Sequence, residues 1–200
     1  RDTARADNDQ RTKIISRLTK FTTTHPKNAQ LWLVKAILEN INNLMTDASH
    51  SINSALLINP SYTNAILINS SLLLKLGKHQ EVLTYLETQS AEHPLDRKLG
   101  IAYSKALANR KDHPKLTEQL KTLAKNFPND ATVLLATAQI AQSNNLIPVA
   151  KSHLYLMIKQ NLRTVEAYSF LARIAVFEKN LDLAIEHLRN ITPGVGYSTA

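Results

Sequence analysis

Seven histidines are the side chains of this chain most suited to catalysis or metal binding. His153 and His187 stand 34 residues apart and form the best-matched pair. Metal ligands must converge to about 2 Å from one ion, so such a pair needs its helices brought together and a third donor between them. Asp7 and Asp9 have the alternate spacing that opens a calcium loop, but no glycine and glutamate follow where that loop needs them. There is no phosphate-cradling GxGxxG or GxxxxGK[ST], no HExxH and no GxSxG. The absence of cysteine excludes disulfides, thiol chemistry and cysteine metal sites. Asn69-Ser-Ser and Asn190-Ile-Thr match the glycosylation sequon, but Asn69 falls in a helical pattern and is set aside. The expectation is a chain with no catalytic residues, no metal and no cofactor.

The histidine spacing belongs to a larger pattern. Pro26, Pro60, Pro94 and Pro128 also stand 34 residues apart. Eight residues before each lies Leu18, Ile52, Leu86 or Leu120, and the series continues at Leu154 and Leu188, where Leu162 replaces the proline. Ten residues after the boundary position lies Ala36, Ser70, Ser104, Ala138 or Ala172. A further column runs Ala48, Val82, Leu116, Ala150, Ala184. Small residues at one helical position let two helices approach, and leucine or isoleucine at another fills the space between them. A fixed period of this length is the mark of a repeat array.

These residues resemble the tetratricopeptide repeat (TPR) family over about residues 11–191. The resemblance implies an all-α, right-handed superhelix of tandem helix–turn–helix units. The units are a partial one at 11–28, full ones at 29–62, 63–96, 97–130 and 131–164, and a partial one at 165–191. Helix A is expected at 29–41, 63–76, 97–109, 131–143 and 165–178. Helix B is expected at 46–58, 80–91, 114–126, 148–160 and 182–190, with Pro114 and Pro148 in its first turn, where an unpaired N–H is normal. The series from Leu18 to Leu188 is expected to be buried. In family terms a large residue sits six positions after the boundary, here Trp32, Ile66, Gly100, Leu134 and Tyr168. Gly100 therefore predicts looser packing in the third unit. The family's turn glycine is present only as Gly77. Residues 1–10 read as a polar linker or a helix extension, and 192–200 as a loop toward a further repeat. The chain starts at Arg, not Met, and reads as part of a longer protein.

Helix A should line the inner face of such an array through residues at i, i+3, i+4 and i+7. Leu33, Leu67, Ile101 and Leu135 form an aliphatic column on it. Ile37, Ser71, Lys98, Lys105, Gln139 and Arg173 flank that column. A groove of this kind takes an extended or helical peptide; the alternative is that the column only packs against neighbouring helices. The lysine and asparagines by which TPR co-chaperones hold a C-terminal carboxylate are missing from the matching positions, which hold Leu33, Ile37, Leu67 and Ser71. Formal charge is +8. The basic excess lies in 97–125 and reads as a solvated outer face, with an anionic partner as the alternative.

The runs Asp130-Ala-Thr-Val-Leu-Leu-Ala, Val149-Ala-Lys, Glu166-Ala-Tyr-Ser-Phe-Leu-Ala-Arg-Ile-Ala and Ala184-Ile-Glu-His-Leu resemble TPR proteins of Gram-negative envelopes. Some of those are lipid-anchored adaptors that bring substrates to periplasmic proteases, and others bind apocytochrome C-termini. The resemblance implies a non-enzymatic adaptor for a protein or peptide partner, periplasmic or anchored to the outer membrane, with a cytoplasmic setting as the alternative. A scaffold that assembles a complex through its convex edges and a binder of an anionic polymer are the other readings. No stretch is long and apolar enough to span a membrane.

Overall fold

The computed structural model describes residues 2–191, with side chains from Gln10 onward. Eleven α-helices occupy them: α1 (Asp2–Thr24), α2 (Ala29–Ile41), α3 (Met45–Ile58), α4 (Thr63–Lys75), α5 (His79–Glu92), α6 (Arg97–Arg110), α7 (His113–Asn126), α8 (Ala131–Ser143), α9 (Ile147–Lys159), α10 (Thr164–Phe177) and α11 (Leu181–Arg189). No strand occurs among the described residues. From α2 onward, every helix end lies within one residue of its sequence-derived bound. Of the opening segment, residues 2–10 belong to α1, which starts at Asp2. The expected loop at 192–200 lies outside the described residues. The chain forms two compact units, Arg1–His93 and Pro94–Ala200. In the first, each helix packs on the next in order and α2 also meets α4; in the second the same holds, and α6 meets α8 and α7 meets α9.

Local chemistry explains the boundaries. Two residues after the boundary proline, Asn28, Asp96 and Asp130 cap α2, α6 and α8, each side chain accepting from two backbone N–H groups of the first turn. Such a cap is worth about 1 kcal/mol. Pro114 and Pro148 lie in the first turn of α7 and α9. Between helix A and helix B, one residue in each repeat takes the left-handed conformation: Asn43 (φ 60°), Gly77 (φ 73°), Lys111 (φ 56°), Asn145 (φ 59°) and Lys179 (φ 62°). The family glycine is therefore replaced in sequence but not in backbone geometry. Where Leu162 stands in place of proline, Asn161 (φ 55°) and Arg163 (φ 43°) flank it in the same conformation.

The sequence grid is the core. Ala36, Ser70, Ser104, Ala138 and Ala172 are all buried, as are Ala48, Val82, Leu116, Ala150 and Ala184. Ile52, Leu120 and Leu154 are fully buried and Leu86 nearly so. Burying one such side chain is worth about 1.5–3 kcal/mol. Three expectations need correction. Leu18 is only half-buried, because α1 has a packing partner on one side only, α2. Leu188 is 52 % exposed, because the helix that buries Leu154, α10, has no counterpart beyond α11 among the described residues. The third is Gly100. It does not mark a loose unit: a Cβ built there would lie 2.4 Å from Leu123 Cδ2. Leu123 fills the space that a large residue occupies elsewhere. Two periods earlier the relation is reversed, and Trp32 packs against the cluster that contains Ala55.

Candidate partner-binding face

The expected binding residues divide between the two units. In the first, Leu33 is only 4 % exposed and lies in a core cluster with Ala36, Ile52, Ala55 and Ala65. It supports the packing alternative, not a surface role. Ile37, Leu67 and Ser71 are half-buried. In the second unit, Ile101 and Leu135 are half-buried and occupy equivalent places on α6 and α8. Lys98, Lys105, Gln139 and Arg173 are exposed. Lys105, Gln139 and Arg173 recur at 34-residue intervals, so they occupy one position on three successive A helices, α6, α8 and α10. The guanidinium of Arg173 lies over the Phe170 ring, 4.8 Å from its centre, which fixes a planar donor at the surface.

The sharpest polar chemistry lies behind this face. In several repeats a helix A residue meets a helix B residue sixteen positions later. Lys35 Nζ donates to Ser51 Oγ at 3.3 Å. The Asn69 amide hydrogen-bonds the Tyr85 hydroxyl, whose pKa is raised mainly by burial. His153 Nδ1 and Thr137 Oγ1 lie 2.9 Å apart. The Thr137 hydroxyl donates to the Leu134 carbonyl at 2.9 Å. Its single proton is thereby committed, so the His153 ring must donate from Nδ1 to Thr137 Oγ1. Burial pushes the His153 pKa down to about 4, which makes it a neutral core side chain. His187, its equivalent, is also buried and lies against the rings of Tyr155 and Tyr168 at 6.2 and 6.3 Å. Among the described residues no three His, Cys, Asp or Glu side chains come together as a metal site.

One element of this layer escaped the sequence reading. Lys35 pairs with the buried Glu39 at 3.1 Å, and Lys75 Nζ donates to Asn40 Oδ1 at 2.8 Å. Glu39 stands where later repeats hold Leu73, Leu107, Ala141 and Ala175. The usable signal was a charged residue in an otherwise apolar column, with a lysine four residues before it. Ion pairs tie helices of the second unit, Arg97 to Asp130 at 2.7 Å and Lys151 to Glu178 at 2.6 Å. Asp130 is thereby held by an arginine and by two backbone N–H groups. These contacts outweigh its partial burial and set its pKa below the usual value.

Solved structures share this arrangement of helices. PilF of Pseudomonas aeruginosa superimposes with a TM-score of 0.60 at 14% identity, over 96% of this chain and 89% of that one. PilW, a widely conserved type IV pilus biogenesis factor, gives 0.61 at 16% identity, over 98% and 91%. The fold is the tetratricopeptide-repeat fold. YrrB, a TPR protein with an unusual peptide-binding site, gives 0.56 at 15% identity, over 89% and 93%. No protein-family model and no curated protein matches the sequence. In this TPR fold α6 and α8 carry an aliphatic pair, Ile101 and Leu135, and α6, α8 and α10 carry the exposed polar column Lys105, Gln139 and Arg173.

Proposed function

We propose that the chain is a non-enzymatic adaptor that binds a protein or peptide along its A helices. The observation that carries this reading is the exposure pattern of the second unit: half-buried Ile101 and Leu135, bordered by exposed Lys98, Lys105, Gln139 and Arg173. Ile37, Leu67 and Ser71 offer a similar, less charged strip in the first unit. Leu33 is excluded by its burial. An aliphatic strip supplies area, and polar neighbours satisfy the backbone of an extended ligand. The cations favour a ligand with a carboxylate, in a side chain or at its C-terminus. Support for a peptide ligand also comes from YrrB, whose fold this chain shares and which has a peptide-binding site. Support for an envelope setting comes from the sequence runs at 130–136 and 166–175 and from the shared fold of PilW, a pilus biogenesis factor.

The test uses the immobilised protein and a displayed random peptide library, each enriched peptide then being titrated in solution. Ile101→Asp with Leu135→Asp should weaken capture by roughly tenfold or more, since buried aliphatic contacts contribute about 1–2 kcal/mol each. Lys98→Glu with Lys105→Glu should weaken acidic or free-carboxylate peptides and spare amidated neutral ones. Circular dichroism must show both variants folded. Peptide binding unchanged in both would refute the proposal.

A further inference from the structure

The C-terminal ends of the B helices in the second unit carry a surface that the adaptor reading does not use. Lys121 and Lys125 lie on α7, Lys159 at the end of α9, Arg163 in the turn that follows, and Arg189 at the end of α11. All five are exposed. The ion pairs Arg97–Asp130 and Lys151–Glu178 of this unit lie at other positions. Lys121, Tyr155 and Arg189 occupy one repeat position on three successive B helices, and Lys125 and Lys159 share another. The cations are therefore arrayed along an edge at repeat spacing, on the order of 10 Å per helix layer. A point anion cannot meet such a row, but an extended anionic surface can. Large apolar side chains stand exposed on the same helix face: Tyr155 (46 %) in the column of Lys121 and Arg189, and Ile185 (49 %) one turn before Arg189. Single-stranded nucleic acid would require several stacking aromatics along the row, and Tyr155 is the only aromatic residue in it. Lysine and arginine beside tyrosine and aliphatics suit the headgroup layer of a bilayer.

We propose that this edge of the second unit, Lys121, Lys125, Lys159, Arg163 and Arg189 with Tyr155 and Ile185, docks on an anionic lipid bilayer surface. Basic side chains supply attraction to the headgroups, and the exposed apolar residues enter the interface without spanning it. The surface lies on B helices, so it leaves the A-helix residues open to a partner.

The experiment is vesicle co-sedimentation with the whole chain. Vesicles of phosphatidylcholine with phosphatidylglycerol are compared with phosphatidylcholine alone. Binding to the anionic vesicles should fall steeply between low and 0.5 M salt, a concentration chosen on the order needed to shorten screening to a few ångströms. Lys125→Glu with Lys159→Glu should lower partitioning about 25-fold or more, at roughly fivefold per cation near an anionic surface. Lys20→Glu with Lys27→Glu, the same charge change on the exposed surface of the first unit, should have a much smaller effect. Tyr155→Ser with Ile185→Ser should weaken the binding that survives at high salt. An equal loss in both charge-reversal pairs would mean that net charge alone attracts the chain, and would overturn the proposal. So would equal binding to neutral vesicles, or short double-stranded DNA outcompeting the anionic vesicles at matched charge.

Discussion

His153 shows what a buried polar residue in this fold costs and contributes. Its pKa falls from 6.5 in the unfolded chain to about 4 in the fold, because burial disfavours the charged ring. The unfolded state therefore binds a proton between these values when the folded state does not. Stability from this residue is complete above pH 6.5 and is lost as pH falls toward 4, by about 3 kcal/mol at the lower limit. Equilibrium unfolding from pH 7 to pH 4 should show a steeper loss for the native chain than for His153→Leu. Parallel pH curves for the two would refute the assignment. Gly100 makes a second residue-scale case. Gly100→Leu restores the large residue of neighbouring repeats and should cost about 1–3 kcal/mol, because Leu123 already occupies the space. Adding Leu123→Ala should recover most of that loss, and an additive double variant would show that the two sites are not coupled. Sequence alone missed this exchange because the family pattern is written for single positions, whereas packing conserves the volume of a pair.

At the scale of the element, the helices were legible almost to the residue. Pro–x–Asn/Asp boundaries at 26–28, 94–96 and 128–130 are both periodic and mechanistic, since the third residue caps the helix with its side chain. The turns were less legible, because the left-handed position is held by Lys111, Asn145 or Lys179 without any sequence mark. Gly77 has no neighbour within 4 Å of a built Cβ, so only its backbone matters. Gly77→Ala should therefore cost about 1 kcal/mol, and Lys111→Gly should return a similar amount. Chemical denaturation of each variant reads this directly, and a neutral Lys111→Gly would mean that the turn is already relaxed. The candidate site was legible only in part. Periodicity places Leu33 in the same column as Ile101 and Leu135, but the core cluster of the first unit takes Leu33 inside. Depth within a column depends on the neighbours in each repeat, which a spacing rule does not contain.

At the scale of the whole molecule, within each unit the described repeats pack on their neighbours, so stability should behave as a sum of repeat and interface contributions. Leu120 and Leu188 are one repeat position seen in two surroundings. Leu120 is fully buried, and α7, which carries it, packs on both α6 and α8; Leu188 is 52 % exposed on α11. Leu120→Ala should cost about 2–5 kcal/mol, as truncation of a buried leucine does, while Leu188→Ala should cost well under that. The loss at Leu120 should also be local. Native-state hydrogen exchange should show the largest drop in protection in α6, α7 and α8, with a smaller one in α10 and α11 of the same unit. The reason is that α10 and α11 make their own interface with each other and with α9, and none of these helices contains Leu120. A uniform drop from α6 to α11 would mean that the second unit unfolds as one cooperative block. In that case the nearest-neighbour account would fail, and a partner held on α6 and α8 would stabilise α11 as strongly as the helices it touches.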